Sequence, residues 1–312
     1  MKLNLSRIYR PSKWEEFYGN KFIVKDLQNY VKTNDPPHML FYGPRGCGKN
    51  TLAYIFATNY LGRKISINTG ENDPDYKEMN ASDERGIDVV RDVIKIFAKT
   101  RSLTPNKKRI IVLDEADNLT QPAQMALRSI MEKNEHRCIF ILILNHLEGI
   151  KEPALLSRCA IFKFQPPSFD DQVKFIKKIS EKEGIEFEAE EMIKAIATYY
   201  KGDMRAILVD CIEALRGKKE PINPDDLHKV YEGYDIRKMM REIDESEHPK
   251  WVFYHRYKKE NIDVRKFLEK YFEFIGQHHS KIFAEVDARL RDGASTIIQM
   301  SYLFDSIAEV KD

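Results

Sequence analysis

The strongest constraint on this chain is a run of seven residues, Gly43-Pro44-Arg45-Gly46-Cys47-Gly48-Lys49, lying between the apolar run Met39-Leu40-Phe41-Tyr42 and a helical stretch over 52–60. A G-x-x-x-x-G-K string between a strand and a helix closes backbone N–H groups around phosphate oxygens. Its lysine reaches the β and γ phosphates, and the helix start adds partial positive charge. A glycine-rich turn carrying a surface lysine has the same spelling, so a second motif is needed. Ile110-Ile111-Val112-Leu113-Asp114-Glu115-Ala116-Asp117 supplies it, as a hydrophobic strand that delivers two carboxylates to its carboxyl end. Asp114 would hold magnesium through water, and Glu115 would orient or deprotonate the water that attacks the γ phosphate. The alternative for this pair is a solvated acidic turn capping the next helix. The expected ligands are ATP and Mg2+.

One position departs from the pattern. The lysine is followed by Asn50, where a Ser or Thr hydroxyl normally meets the magnesium, and Thr51 lies one residue further round the helix. A carboxamide oxygen can ligate a hard cation, but magnesium demands near-octahedral oxygens at ~2.1 Å. Asn50 and Asp114 are the candidate metal ligands, and nucleotide binding is better founded than fast hydrolysis.

The surrounding sequence reads as α/β. Met39–Tyr42, Arg109–Leu113 and Cys138–Leu144 are short apolar runs that end in polar residues, as buried parallel strands do. After Gln165-Pro166-Pro167-Ser168 helical periodicity takes over, with Met192, Ala195, Ile196 and Tyr199 on one expected stripe and Leu208, Cys211, Ile212 and Leu215 on another. The expected domains are 1–165, 166–233 and 234–312, the last an aromatic-rich helical bundle around Phe267, Leu268, Tyr271, Phe272 and Ile275. The 51 Lys and Arg balance 49 Asp and Glu to a net charge of +2, so any nucleic-acid surface must be local. The longest apolar run, 138–144, is far too short to cross a bilayer, and the first residues open no signal-peptide hydrophobic region. Cys47, Cys138, Cys159 and Cys211 form no C-x-x-C pair, which points to a reducing interior rather than a zinc or disulfide framework.

Six strings in order carry a family resemblance: Tyr9-Arg10-Pro11, 43–51, Asn80-Ala81-Ser82-Asp83-Glu84-Arg85-Gly86-Ile87-Asp88, Leu113 to Asp117, Ser157-Arg158-Cys159 and Gly202-Asp203-Met204-Arg205. Together they resemble the small subunit of replication factor C, an AAA+ sliding-clamp loader, and the likeness continues to Asp287–Ala294. The resemblance implies an AAA+ P-loop parallel-sheet domain, a small helical lid and a C-terminal helical collar that joins other subunits, a pentameric ring being expected. It implies ATP-dependent opening of the clamp and its loading onto primer–template DNA during replication. The site is nuclear in a eukaryote, cytoplasmic with the nucleoid in an archaeon, and at the replication site for a virus.

The resemblance also assigns roles. Tyr9, Arg10 and Pro11 would line the adenine pocket, Lys49 would hold phosphate, and Asn145 would act as sensor 1 on the attacking water or γ phosphate. Arg205 would act as sensor 2 behind an Asp203 N-cap. Arg158 would be a finger directed into the neighbouring subunit's site. A hydrolysis-poor subunit that only donates Arg158 is the alternative to a working ATPase; another AAA+ machine, such as a junction-migrating motor, is a third. Arg85, Arg91 and Arg128 would meet DNA phosphates without reading sequence. Ile96, Phe97 and Ala98 would touch the clamp, although Phe97 reads equally as core. His278-His279 lacks partners at metal-ligand spacing, and Asn72–Asp75 reads as a polar surface loop.

Overall fold

A computed structural model describes residues 5–65, 73–81, 93–246, 249–260, 264–275, 280–292 and 294–311. The chain divides into two compact units, Met1–Ile222 and Asn223–Asp312.

The first unit is built on a five-stranded parallel sheet, β1 (His38–Tyr42), β2 (Tyr76–Asn80), β3 (Arg109–Asp114), β4 (Cys138–Leu144) and β5 (Cys159–Lys163), in the order β2-β3-β4-β1-β5. The three expected strands form the buried centre. β2 and β5 are additional, and as edges they expose alternate residues. Because strand side chains alternate, Met39, Phe41, Val112, Ile141 and Ile143 pack on one face against the helices Lys21–Thr33 and Lys49–Leu61. Leu40, Ile111, Leu113, Phe140 and Leu142 pack on the other, against the helix Gln121–Asn134.

The unit then continues through the helices Phe169–Glu183 and Glu190–Tyr200 and a last helical stretch, whose middle, Ile207–Ile212, is a π-helical turn. In Glu190–Tyr200 the buried stripe is Met192, Ile193, Ile196, Ala197 and Tyr200. It is rotated from the expected one, so that Ala195 faces solvent. Pro166 and Pro167 do not separate compact units. They pack against Gly202 and Gly19, with no room for a Cβ at Gly202, where it would lie 2.5 Å from Pro166 Cβ.

The second unit holds the helices Pro224–Asp244, Pro249–Glu260, Val264–Ile275, Ser280–Arg291 and Thr296–Lys311 around Phe253, Phe267, Tyr271, Phe283 and Phe304. The boundary expected at 233/234 falls inside the continuous helix Pro224–Asp244. A capping box at Asn223 and Asp226 starts that helix, and Gly233 costs it only about 1 kcal/mol, too little to end it. No described helix is long and apolar enough to cross a membrane.

His38, 7 % exposed at the start of β1, accepts the Phe140 N–H on Nδ1 at 3.2 Å. Burial pushes its pKa down to about 4. Unfolded chains therefore bind the extra proton between pH 6.5 and about 4, and stability falls as pH drops through that window. The expected loss is about 3 kcal/mol at the acid end. Thermal melts across this range should show the loss in the wild type and a flatter profile in His38→Asn.

Candidate functional site

The central strands end side by side in the order β3, β4, β1, so Asp114, Asn145 and the glycine loop meet at one carboxyl edge. The loop is fitted to its surroundings. Gly46 has φ 72°, and a Cβ there would fall 2.0 Å from Asp203 Oδ1; at Gly48, with φ 90°, it would fall 2.7 Å from the Phe17 ring. Only glycine lets the backbone approach so closely. Arg45 and Pro44 face solvent. Cys47 is buried, donates from Sγ to Pro44 O at 2.8 Å, and has its thiol pKa raised by burial, so it is an inert packing residue.

Lys49 opens the helix Lys49–Leu61 and is 6 % exposed. Its Nζ donates to Gly43 O at 2.6 Å, Pro44 O at 2.8 Å and Asn145 Oδ1 at 3.2 Å. Burial lowers its pKa, while nearby Cys47, Asp114 and Asp117 favour the ammonium form. The phosphate-loop lysine and the expected sensor are thus brought together. Asp117 holds that sensor in turn, accepting the Asn145 N–H at 3.2 Å and the His146 N–H at 3.3 Å. Glu115 takes a left-handed φ of 53°, strained for a residue with a side chain, and its carboxylate is half-exposed at the same edge.

Asp114 accepts the Glu115 N–H on Oδ1 at 2.9 Å, and its Oδ2 accepts from the Asn50 amide nitrogen. This arrangement does not fit a magnesium held between residues 50 and 114. Asn50 turns a donor toward Asp114 rather than the oxygen lone pair expected of a ligand. Among the described residues, no group of three or more His, Cys, Asp or Glu is arranged to hold a metal ion. Thr51 is half-buried on the next helix position.

Arg10 donates from Nη2 to Asn50 O at 3.0 Å, with its guanidinium over the Tyr54 ring, so it braces the helix start. Tyr9 donates to Glu183 Oε1 at 2.5 Å, and burial, aided by Glu183, pushes its pKa up to about 12. Glu183 also pairs with Arg216 Nε at 2.6 Å, tying this segment to the helical part of the unit. Pro11 is half-buried. Asp203 accepts the Ala206 N–H at 2.9 Å, capping its helix as expected, and the next residue but one, Arg205, is exposed.

Arg158 stands apart, at the amino end of β5, paired through Nη2 with Glu132 Oε1 at 2.8 Å. Arg128 lies 3.4 Å from Glu152 and 3.7 Å from the same Glu132 oxygen. Arg85 and Arg91 lie outside the described residues, as do His278-His279 and most of the Asn80–Asp88 string. The expected clamp segment splits. Ile96 is 66 % exposed, Phe97 lies half-buried under the Arg109 guanidinium, and Ala98 is fully buried on the core side of its helix, out of any partner's reach.

Sequence reasoning missed Gln124. It is wholly buried and makes four hydrogen bonds, donating to Leu119 O and Gly149 O and accepting from the N–H groups of Lys151 and Glu152. It joins the Gln121–Asn134 helix to the segment leading to Arg158. The only signal in the sequence was a glutamine at a position facing the apolar stripe.

The model of the ATPase family associated with various cellular activities (AAA) matches residues 39–167. Replication factor C small subunit 1 of Pyrobaculum islandicum is 33% identical over 320 residues, covering 97% of this chain and 93% of that protein. The chain belongs to the replication factor C small subunit family. The small subunit of Methanoculleus marisnigri is 43% identical over 209 residues, 67% of this chain and 61% of that protein. Among solved structures, the Thermotoga maritima RuvB Holliday junction branch migration motor aligns with a TM-score of 0.56 and 18% identity over 84% of this chain and 85% of that one, a likeness of fold alone. Replication factor C small subunits are therefore the relatives that bear on function.

Proposed function

We propose that this chain is one subunit of a replication factor C assembly that opens a sliding clamp and loads it onto primer–template DNA at the expense of ATP. The reading rests above all on the Lys49 ammonium, which joins the phosphate loop to Asn145 beside Asp114 and Glu115. A bound triphosphate would draw Lys49 off the Gly43 and Pro44 carbonyls and onto phosphate oxygens. Tyr9 and Pro11 would face the adenine, Arg10 would fix the segment that carries them, and Arg205 would reach the nucleotide from the lid.

Arg128, with Arg85 and Arg91, would contact DNA phosphates, and binding would weaken with salt. The clamp would meet Ile96 and the free edge of Phe97. The other partners are further replication factor C subunits in a ring, and the protein would work wherever the genome is copied. Assembled with those subunits, it should give an ATPase that clamp and primed DNA together stimulate several-fold, and Ile96→Asp should reduce the clamp's share of that stimulation. An ATPase indifferent to both would overturn the reading.

A second reading within the same complex is favoured by the bond between Asn50 and Asp114. On it, this subunit's own site binds nucleotide but hydrolyses it poorly, and its catalytic contribution is Arg158, supplied to a neighbour.

A further inference from the structure

We infer that this chain takes its nucleotide without a divalent cation, the Asn50 carboxamide standing in for the metal as the positive partner of Asp114. The inference rests on the nucleotide-binding reading above and adds the chemical form of the ligand, a free nucleoside di- or triphosphate.

The first ground is occupancy. An octahedral magnesium at ~2.1 Å from its ligands holds adjacent oxygens about 3 Å apart and opposite ones about 4 Å apart, with the ion between them, and further apart when a water intervenes. Here the side chains of residues 50 and 114 meet directly in a hydrogen bond, so an amide proton rather than an ion lies between them.

The second ground is the orientation of the amide. Each Asp114 oxygen accepts one protein donor, Oδ1 the Glu115 N–H and Oδ2 the Asn50 amide. A carboxamide donates only from nitrogen, so its own oxygen points away from the carboxylate. The backbone is fixed as well, since Arg10 holds the Asn50 carbonyl at 3.0 Å. A hydroxyl at this position would offer lone pairs to a cation, whereas the amide offers its protons to Asp114.

The third ground is charge. Lys49 Nζ lies at the loop with three acceptors that phosphate oxygens can replace, and Arg205 is exposed on the segment whose Asp203 touches Gly46. These two cations and the loop N–H groups can hold a diphosphate or triphosphate tail without further positive charge.

Titrating the full chain with a fluorescent N-methylanthraniloyl ATP, and with the ADP analogue, in excess Mg2+ and again in EDTA tests this. The wild-type Kd should change less than about threefold between the two media, while Asn50→Thr should bind at least about tenfold tighter with Mg2+ than without. A wild-type Kd that weakens tenfold or more in EDTA overturns the inference and leaves the nucleotide reading standing. Failure of the wild type to bind in either medium overturns the nucleotide reading itself. The wild-type ratio decides alone, so a misfolded variant cannot shelter the inference.

Discussion

Arg158→Ala in this chain should lower ATP turnover at the neighbouring site of the assembled complex by about 10³-fold, the scale of a trans arginine in phosphoryl transfer. The sheet register shows why Arg158 cannot serve its own nucleotide. Cys159, the next residue, pairs with His38 at the start of β1, and the glycine loop begins only after Tyr42, paired with Lys163. Five steps of strand at ~3.3 Å each, from Arg158 to Lys163, put Arg158 about 16 Å from that edge along the strand direction.

The guanidinium is half-exposed and held through one amino group by Glu132, itself about a third exposed. Such a pair is worth at most about 1 kcal/mol, well below the ~4 kcal/mol that corresponds to 10³ in rate, so release from Glu132 does not oppose its use elsewhere. Arg158→Lys should recover only part of the rate, because an ammonium lacks the planar fork. Glu115→Gln in the same chain should change turnover far less if its own site hydrolyses poorly. Unchanged turnover by an intact complex carrying Arg158→Ala would remove the finger role.

The residues legible in the sequence are those whose position follows from chain continuity. Lys49, Asp114 and Asn145 each come at or just after the end of an unbroken apolar run, and a parallel sheet must bring such ends to one edge. β2 and β5 escaped because edge strands expose alternate residues, so Tyr76–Asn80 shows only Tyr76 buried. Gln124 and Asp117 escaped for another reason. Their partners are backbone N–H and C=O groups remote in sequence, and a buried side chain that satisfies backbone leaves no periodic trace. For Asn50 the sequence named the departure but not which end of the amide meets Asp114, which depends on tertiary spacing.

Asp75→Ala should destabilise the first unit by about 3–5 kcal/mol, the range for removing one partner of a buried charge cluster. The reading of Asn72–Asp75 as a polar surface loop fails at Asp75, which is 1 % exposed, while Pro74 is exposed and Asn72 lies outside the described residues. It accepts from Leu103 N–H at 2.8 Å, Thr104 N–H at 2.9 Å and Thr104 Oγ1 at 2.7 Å, with Arg63 at 3.5 Å and Arg109 at 3.9 Å. Alanine would strand three donors and take a carboxylate from beside two guanidinium groups, of which Arg63 keeps Asp73 and Arg109 keeps the Pro74 and Phe97 carbonyls. For a unit of this size about 2–4 °C accompanies each kcal/mol, so the melting temperature should fall by roughly 10 °C.

Acid separates this mechanism from simple loss of packing. Burial alone would raise the Asp75 pKa, but the hydrogen bonds from Thr104 and Leu103 outweigh it and the net shift is downward. The stabilisation is therefore complete above the unfolded carboxylate pKa of about 4 and is lost as pH falls through the lower folded value. Wild type and Asp75→Ala should differ most near neutrality and converge in strong acid; a constant difference at every pH would mean that the carboxylate charge is not the cause. The same cluster reaches the surface proposed for the clamp. Arg109 donates to Phe97 O at 2.7 Å and lies 3.5 Å from the Phe97 ring centre, so loosening it should also displace the helix that presents Ile96.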